Sequence, residues 1–313
     1  MVIVCGEALV DVIVDAAGEV TSVVGGAGLN TARTIGRLGQ EVRFLGGLSC
    51  DALGRRIERA LLADGVQVAL EGPLPGPSAL AIAQIDDRGA ATYRFLLERT
   101  ATAALSAQVA LAHADPSAGA LHLGGLGLVL EPLADASLAL ADAAGDEQVV
   151  MVDPNYRPGV MAGSAVFTRS LAGVLRRADI VKASVEDLAH VAPDPAGADV
   201  AKGLVRRTGA VVVVTDGARP VRVLGPGLDA RVEVPATSVV DTVGAGDAFG
   251  GALLAWWQGV GLRRSDLADH DAVLAAVRFG VQVAARTCQR AGADPPWARE
   301  STRSGWTRDR EWE

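Results

Sequence analysis

Short apolar runs and amphipathic stretches alternate along most of this chain. Residues 2–5 form a continuous apolar run, and residues 9–14 alternate apolar and polar, so both segments predict strands. Residues 25–28 predict a glycine-rich turn, and 30–38 have helical spacing that stops at Gly39. A strand follows at 42–45. An amphipathic helix over 53–64 follows, with Gly65 as its C-cap. Between 68 and 97 the texture changes. Strand-like runs at 79–85 and 91–97 flank Asp86-Asp87-Arg88-Gly89, a hairpin turn with no helix after it. That hairpin, with part of 11–24, predicts a small sheet projecting from the main body.

Beyond Thr100 the rhythm becomes strand–helix–strand. Strands are predicted at 120–123, 148–152, 180–181 and 210–214, with helices at 133–144, 165–177 and 200–208 between them. Short Val-rich strands alternating with helices imply a mostly parallel sheet covered on both faces. A β-hairpin around Gly225-Pro226-Gly227 (221–234) and two helices, 247–258 and 271–290, close the domain. The segment 298–313 reads as a peripheral tail. The domain is therefore expected to span 1–297, with lid strands inserted at about 10–24 and 68–98.

Composition narrows the function classes. The chain has 313 residues, 50% of them hydrophobic, and a net charge of −8. With no basic run, nucleic acid is not an expected partner. No apolar stretch is long enough for a membrane span and no leader pattern opens the chain, so a soluble cytoplasmic protein is expected. Cys5, Cys50 and Cys288 show neither disulfide nor metal-ligand spacing and are expected to be buried as small hydrophobes. His113, His122, His190 and His270 are scattered. Only His122, beside Gly124-Gly125 at a strand end, is a candidate for more than packing.

The most informative stretch is Asp241-Thr-Val-Gly-Ala-Gly-Asp-Ala-Phe-Gly-Gly251. A glycine-rich turn feeding a helix leaves the first N–H groups unpaired at the positive end of the dipole, which favours an anion. A carboxylate there repels a phosphate unless it has work to do. The obvious work is to take the proton of whatever attacks that phosphate. Asp247 is thus a candidate base for phosphoryl transfer to a hydroxyl, or simply a helix-start acid. No Walker P-loop and no full G-x-G-x-x-G occurs, so any nucleotide is held by another device.

Other constellations lie at turns. Gly25-Gly26-Ala27-Gly28-Leu29-Asn30 lets a ligand approach the backbone closely, and Asn30 offers a donor and an acceptor to sugar hydroxyls, or a helix cap. Asp11, on a half-buried strand, suits a polyol or solvent. Asp153-Pro154-Asn155-Tyr156-Arg157 follows a buried strand, where Arg157 reaches a phosphate or lies on the surface. Ser184-Val185-Glu186-Asp187 either orders the waters of Mg²⁺ or caps a helix. Thr215-Asp216-Gly217 ends another strand, where hydroxyl and backbone can touch phosphates.

Taken in order, these turns resemble the ribokinase-like (pfkB) family of carbohydrate kinases. Gly25-Gly-Ala-Gly-Leu-Asn-Thr-Ala32 through Arg37-Leu-Gly39 is similar to the family's first signature, and Asp241–Phe249 to its second. The resemblance implies an α/β fold, a three-layer ribokinase-like domain with a mostly parallel central sheet plus a small β lid over the sugar. It implies phosphorylation of an exocyclic sugar hydroxyl with ATP and Mg²⁺. Asp247 would be the base, and the backbone of Gly244, Ala245 and Gly246 the anion hole. Asp11, Gly25, Gly26 and Asn30 would hold the sugar, with Tyr93 and Arg157 beside them. Lys182, Ser184, Thr215, Gly217 and Thr242 would lie on the nucleotide side. Asp187 would fall at the metal–phosphate motif, and Asp241 near a monovalent cation such as K⁺. A homodimer formed through the lid is a further expectation.

Within the family, Gly6-Glu7-Ala-Leu-Val-Asp11, Asp153–Arg157 and Gly292-Ala-Asp-Pro-Pro296 look most like fructokinases. Kinases of 2-keto-3-deoxygluconate, of other sugars or of nucleosides are the alternative, since Tyr93-Arg94 could grip a sugar acid. A non-catalytic sugar sensor is a second alternative, and a nicotinamide oxidoreductase a distant third. Asp187 stands where the family usually has Glu, Ser184 where Asn is commoner, and Pro220 where Gly is frequent.

Overall fold

A computed structural model of the chain describes residues 1–87, 91–191 and 199–300. Thirteen strands are defined among them: β1 (Val2–Cys5), β2 (Leu9–Val14), β3 (Val20–Gly25), β4 (Val42–Leu45), β5 (Gln67–Val68), β6 (Ala79–Ile85), β7 (Ala91–Leu96), β8 (Ala120–Gly124), β9 (Val149–Asp153), β10 (Ile180–Ser184), β11 (Val211–Asp216), β12 (Arg219–Gly225) and β13 (Leu228–Val232). Nine build one sheet in the order β13-β12-β11-β10-β9-β8-β1-β4-β5. The other four build a second in the order β3-β2-β6-β7.

The central sheet is parallel from β11 to β5 and antiparallel only at β12 and β13. Side chains alternate across a strand, so each strand feeds two cores. Val2 and Val4 face one layer and Ile3 and Cys5 the other; Val211 and Val213 oppose Val212 and Val214 in the same way. Helices Ala27–Arg37, Ala245–Gly259 and His270–Thr287 cover the first face. Helices Leu133–Asp142, Ala165–Leu175 and Val200–Thr208 cover the second. Strand order reverses between β1 and β8, so the carboxyl ends of β1, β8, β9 and β10 open on the crevice where such folds bind ligands.

Several expectations shift. Residues 67–68 pair in parallel with Arg43 and Phe44, so they extend the central sheet, and the lid's second pair of strands begins only at Ala79. β10 runs to Ser184 rather than stopping at 181, because Lys182 is buried within it despite its charge. The helix carrying Asp247 starts at Ala245, which puts Asp247 in its first turn. The short helix Ala107–Ala112 was not anticipated, and Val185–Val191 takes the helix-start alternative open for residues 184–187. Cys5 is buried as expected, but Cys50 is exposed and Cys288 partly so. Arg88 and Gly89 of the expected hairpin turn, and residues 301–313 of the expected tail, lie outside the described residues. Among those described, no helix is long and apolar enough to cross a membrane.

Helices Ala27–Arg37 and Ala245–Gly259 cross at Gly251, where a Cβ would come within 2.8 Å of the Thr31 carbonyl oxygen and 2.8 Å of Thr34 Cβ. This contact seats the first helix, and with it Asn30, against the start of the second. Gly251→Val should therefore overpack the crossing and cost about 1–3 kcal/mol. Thermal denaturation checks it, and an unchanged Tm would contradict the close approach.

Candidate active site

Asp247 is 6% exposed, so its carboxyl oxygens need donors. Two asparagine amides supply them. Asn30 Nδ2 donates to Oδ2 at 2.9 Å, and Asn155 Nδ2 donates to Oδ1 at 2.9 Å. Asn30 rides on the helix that crosses at Gly251. Asn155 sits just past β9 at φ 43°, a left-handed conformation that Asn tolerates better than most residues. Its own N–H donates to Asp153 Oδ1 at 3.2 Å, and Lys182 Nζ donates to Asp153 Oδ2 at 2.8 Å.

The Lys182–Asp153 pair is buried on both sides. Burial pushes the Asp153 carboxyl up to about 6, with the Lys182 charge pulling it back. Burial pulls Lys182 down, but the Asp153 carboxylate, backed by Asp247 and Asp187, carries it above the ordinary lysine value. At neutral pH the pair is therefore ionic. A Cβ at Gly246 would lie 2.8 Å from Lys182 Nζ, so the ammonium sits directly beneath the turn that starts the Asp247 helix.

That turn is anchored from outside. Gly244 takes φ 74° as the helix N-cap, and a Cβ there would strike Ala293 Cβ at 2.4 Å. Asp241 accepts from Val243 N at 3.0 Å and from Gly292 N at 2.8 Å. Arg37 ties the 293–297 segment down by donating to Asp294 and to the Pro295 carbonyl at 2.7 Å, with its guanidinium over the Trp297 ring. The Ala245 amide donates to the Thr242 carbonyl at 3.2 Å. The next two amides of the first turn, Gly246 and Asp247, have no carbonyl a turn back inside the helix and lie at the positive end of its dipole.

Glu7, at the end of β1, holds the other glycine-rich turn. Its Oε1 accepts from Ala27 N at 2.8 Å, and its main-chain carbonyl accepts from Leu29 N at 3.1 Å. Glu7 Oε2 and Asn30 Oδ1 are buried acceptors with no donor among the described residues. Burial pushes the Glu7 carboxyl up to about 7; the Ala27 amide and Arg157 work against that, and Asp247 adds to it. Asp11 is likewise pushed up to about 6 by burial, with Arg157 lowering and Asp247 raising it. A Cβ at Gly25 would meet Asp11 Oδ2 at 2.0 Å, so the glycine leaves the room that this carboxylate fills. Register places Val23, Asp11, Ala81 and Phe95 on one face of the lid, together with Ile13, Ala83 and Tyr93. Tyr93 stacks on Phe95 and stays 61% exposed on that face.

The structure thus brings together Asp11, Gly25, Gly26, Asn30, Gly246 and Asp247, with Lys182 below and Arg157 within electrostatic reach. Ser184 and Asp187 form a reciprocal cap. Asp187 N donates to Ser184 Oγ at 3.0 Å, and Ser184 N donates to Asp187 Oδ2 at 2.8 Å. Asp187 Oδ1 accepts from Tyr156 N at 2.8 Å. Thr215 lies beside Ser184 in register at the sheet edge, followed by Gly217 at φ 56°. Thr242 is exposed in the anchored turn. Among the described residues no side-chain hydrogen bond or ring contact joins Thr215, Gly217, Thr242 or Tyr93 to the Asp247 cluster. Among the described residues no group of three His, Cys, Asp or Glu could hold a metal. His122 is buried with neither ring nitrogen partnered, and burial, with Lys182 adding to it, drives it down to about 3, so it stays neutral. Sequence reasoning gave no role to Asn155, Asp153 or Glu7. The signal was a polar Asn directly after Pro154 at the end of an apolar strand.

Comparison with known proteins identifies the family. The pfkB family carbohydrate kinase profile matches residues 1–299. A fructokinase of Rhizobium leguminosarum bv. trifolii is 33% identical over 261 residues, covering 82% of this chain and 79% of that protein. Two solved structures share the fold. One is a fructokinase from Xylella fastidiosa with bound ATP, with TM-score 0.80, 24% identity and 93% of each chain covered. The other is an aminoimidazole riboside kinase from Salmonella enterica complexed with aminoimidazole riboside and an ATP analogue, with TM-score 0.75, 24% identity, and 93% of this chain and 94% of that one covered. The chain belongs to the pfkB family of carbohydrate kinases. It is an ATP-dependent sugar kinase with the ribokinase-type α/β architecture.

Burial of Glu7 has a measurable consequence. Between about pH 4.5 and 7 the folded chain keeps a proton that the unfolded chain has released, so stability falls as pH rises through that window. Asp11 and Asp153, both raised to about 6, act in the same direction. Glu7→Gln removes its own share. The Tm of the variant minus that of the parent should be larger at about pH 7.5 than at about pH 5. Equal differences at the two would contradict an uncharged buried Glu7 at low pH.

Proposed function

We propose that the chain is a fructokinase, which transfers the γ-phosphoryl group of ATP to an exocyclic hydroxyl of fructose. The observation that carries this reading is the Asp247 carboxylate, held by two amides at a helix start with a buried ammonium below it. The fructokinase names of similar proteins from several organisms support the choice of sugar.

Asp247 accepts the proton of the attacking hydroxyl as the new O–P bond forms and the bond from the γ-phosphorus to its bridging oxygen breaks, releasing ADP. The proton then leaves Asp247 for solvent. The amides of Gly246 and Asp247 stabilise the charge on the transferred group, and Lys182 adds a fixed positive charge from beneath. Gly244 and Ala245 shape the turn, and Thr242 flanks it. Such transfer depends mainly on positioning and charge stabilisation.

The orphan acceptor Asn30 Oδ1 and the Asp11 carboxylate fit a ligand rich in hydroxyl donors. Gly25 and Gly26 keep the backbone close to it, and Tyr93 and Arg157 close the sugar side. Thr215, Gly217 and Ser184 lie on the nucleotide side. Mg²⁺ would neutralise charge on the phosphates. Asp187, with a backbone amide on each oxygen, is suited to meet it through water, in keeping with the hydration that Mg²⁺ retains. A monovalent cation such as K⁺ belongs near Asp241. The chain reads as one kinase domain, 1–297, with the lid inserted. Strands β3 and β7 form the edges of the lid sheet among the described residues and support pairing of two copies through the lid.

Asp247→Asn should keep fructose binding by calorimetry and lose about 10²–10⁴ in turnover; near-parental turnover would remove the base assignment. Asn30→Ala should raise the fructose KM and also lower kcat, because the same side chain grips Asp247; unchanged constants would place the sugar elsewhere. ATP consumption with fructose, 2-keto-3-deoxygluconate, ribose and nucleosides decides the acceptor. Fructose should give the highest kcat/KM. Sugar binding without ATP consumption would favour a sensor instead.

A further inference from the structure

Asp247 is gripped on both oxygens, and the second grip leads through the protein interior. Asn155 Nδ2 holds Oδ1 at 2.9 Å, the Asn155 N–H is fixed by Asp153 Oδ1 at 3.2 Å, and Asp153 Oδ2 is fixed by Lys182 Nζ at 2.8 Å. Asn155 is 8% exposed, and Asp153 and Lys182 are 3% and 4% exposed. A carboxylate on a free rotamer would have to be ordered at each turnover. One locked between amides from two separate elements is already in place.

From this geometry we infer that Asn155 is a positioning residue for Asp247 and that the Lys182–Asp153 ion pair fixes Asn155 in its left-handed turn. This rests on the reading of Asp247 as the base. A buried ion pair contributes little net stability compared with well-packed apolar residues, so holding geometry is the better account of why charge is present here. The arrangement also gives Lys182 two tasks. It underpins Asn155 through Asp153, and it places positive charge beneath Gly246, where its Nζ would lie 2.8 Å from an added Cβ.

The test is steady-state kinetics on the full chain with ATP and the preferred acceptor. Asn155→Gly keeps the backbone freedom that φ 43° requires and removes only the amide. It should lower kcat about 10–100-fold and leave both KM values within about threefold, because a displaced base costs rate rather than binding. Asn155→Asp keeps the shape and sets a second carboxylate against Asp247. It should lower kcat at neutral pH at least about tenfold, since two adjacent carboxylates cannot both ionise freely, and it serves if the glycine variant fails to fold. Lys182→Met should lower kcat as well. Combined with Asn155→Gly, it should cost clearly less than the product of the two single losses, as expected for members of one linked unit.

A kcat within about threefold of the parent in a folded Asn155→Gly or Asn155→Asp would overturn the positioning role. A raised acceptor KM at constant kcat would make Asn155 a sugar contact instead. Fully multiplicative losses in the double variant would overturn the link to Lys182. If Asp247→Asn is inactive and Asn155→Gly is normal, only the positioning inference fails. If Asp247→Asn turns over normally, the base reading fails whatever Asn155 does.

Discussion

A carboxylate buried at the start of a helix is the constraint around which this molecule is arranged. A buried carboxylate there needs hydrogen-bond donors. The two oxygens of Asp247 are held by amides that come from 217 and 92 residues away in the chain. Bringing them together requires two helices to touch at Gly251 and requires β9 to end in a turn that points Asn155 inward. The central sheet makes both possible, since its parallel strands deliver their carboxyl ends to one edge.

Charge is deployed with the same economy. The chain is acidic overall and has only Lys182 and Lys202 as lysines, yet Lys182 is buried beneath the glycine turn. Acidic groups gather around the first glycine turn, where burial lifts Glu7 and Asp11 above their ordinary range. The helix dipole and the ammonium lie at the second glycine turn. One edge of the sheet therefore offers acceptors to hydroxyls and donors to an anion within a few residues of each other.

Much of this was legible in the sequence. The Val-rich runs gave the strands because each faces two cores, and the two glycine turns stood out because Gly26 and Gly244 adopt conformations that other residues resist. Asp247 stood out because an acid in an anion-binding turn is electrostatically unusual. Lys182 interrupted the pattern, and β10 was expected to end before it, since only tertiary pairing with Asp153 makes a buried ammonium tolerable. Asn155 and Glu7 stand in stretches the sequence singles out but receive no role there, because their importance lies in contacts between distant segments. Ser184 and Asp187 could be read as a metal motif or as a helix cap, and their hydrogen bonds form the cap.

The most direct test of the central claim is a crystal structure with fructose and a non-hydrolysable ATP analogue. The account predicts one sugar hydroxyl about 2.6–3.2 Å from an Asp247 oxygen, with the γ-phosphate over the amides of Gly246 and Asp247. A sugar seated beyond hydrogen-bond reach of Asp247, with the phosphate away from that turn, would contradict it.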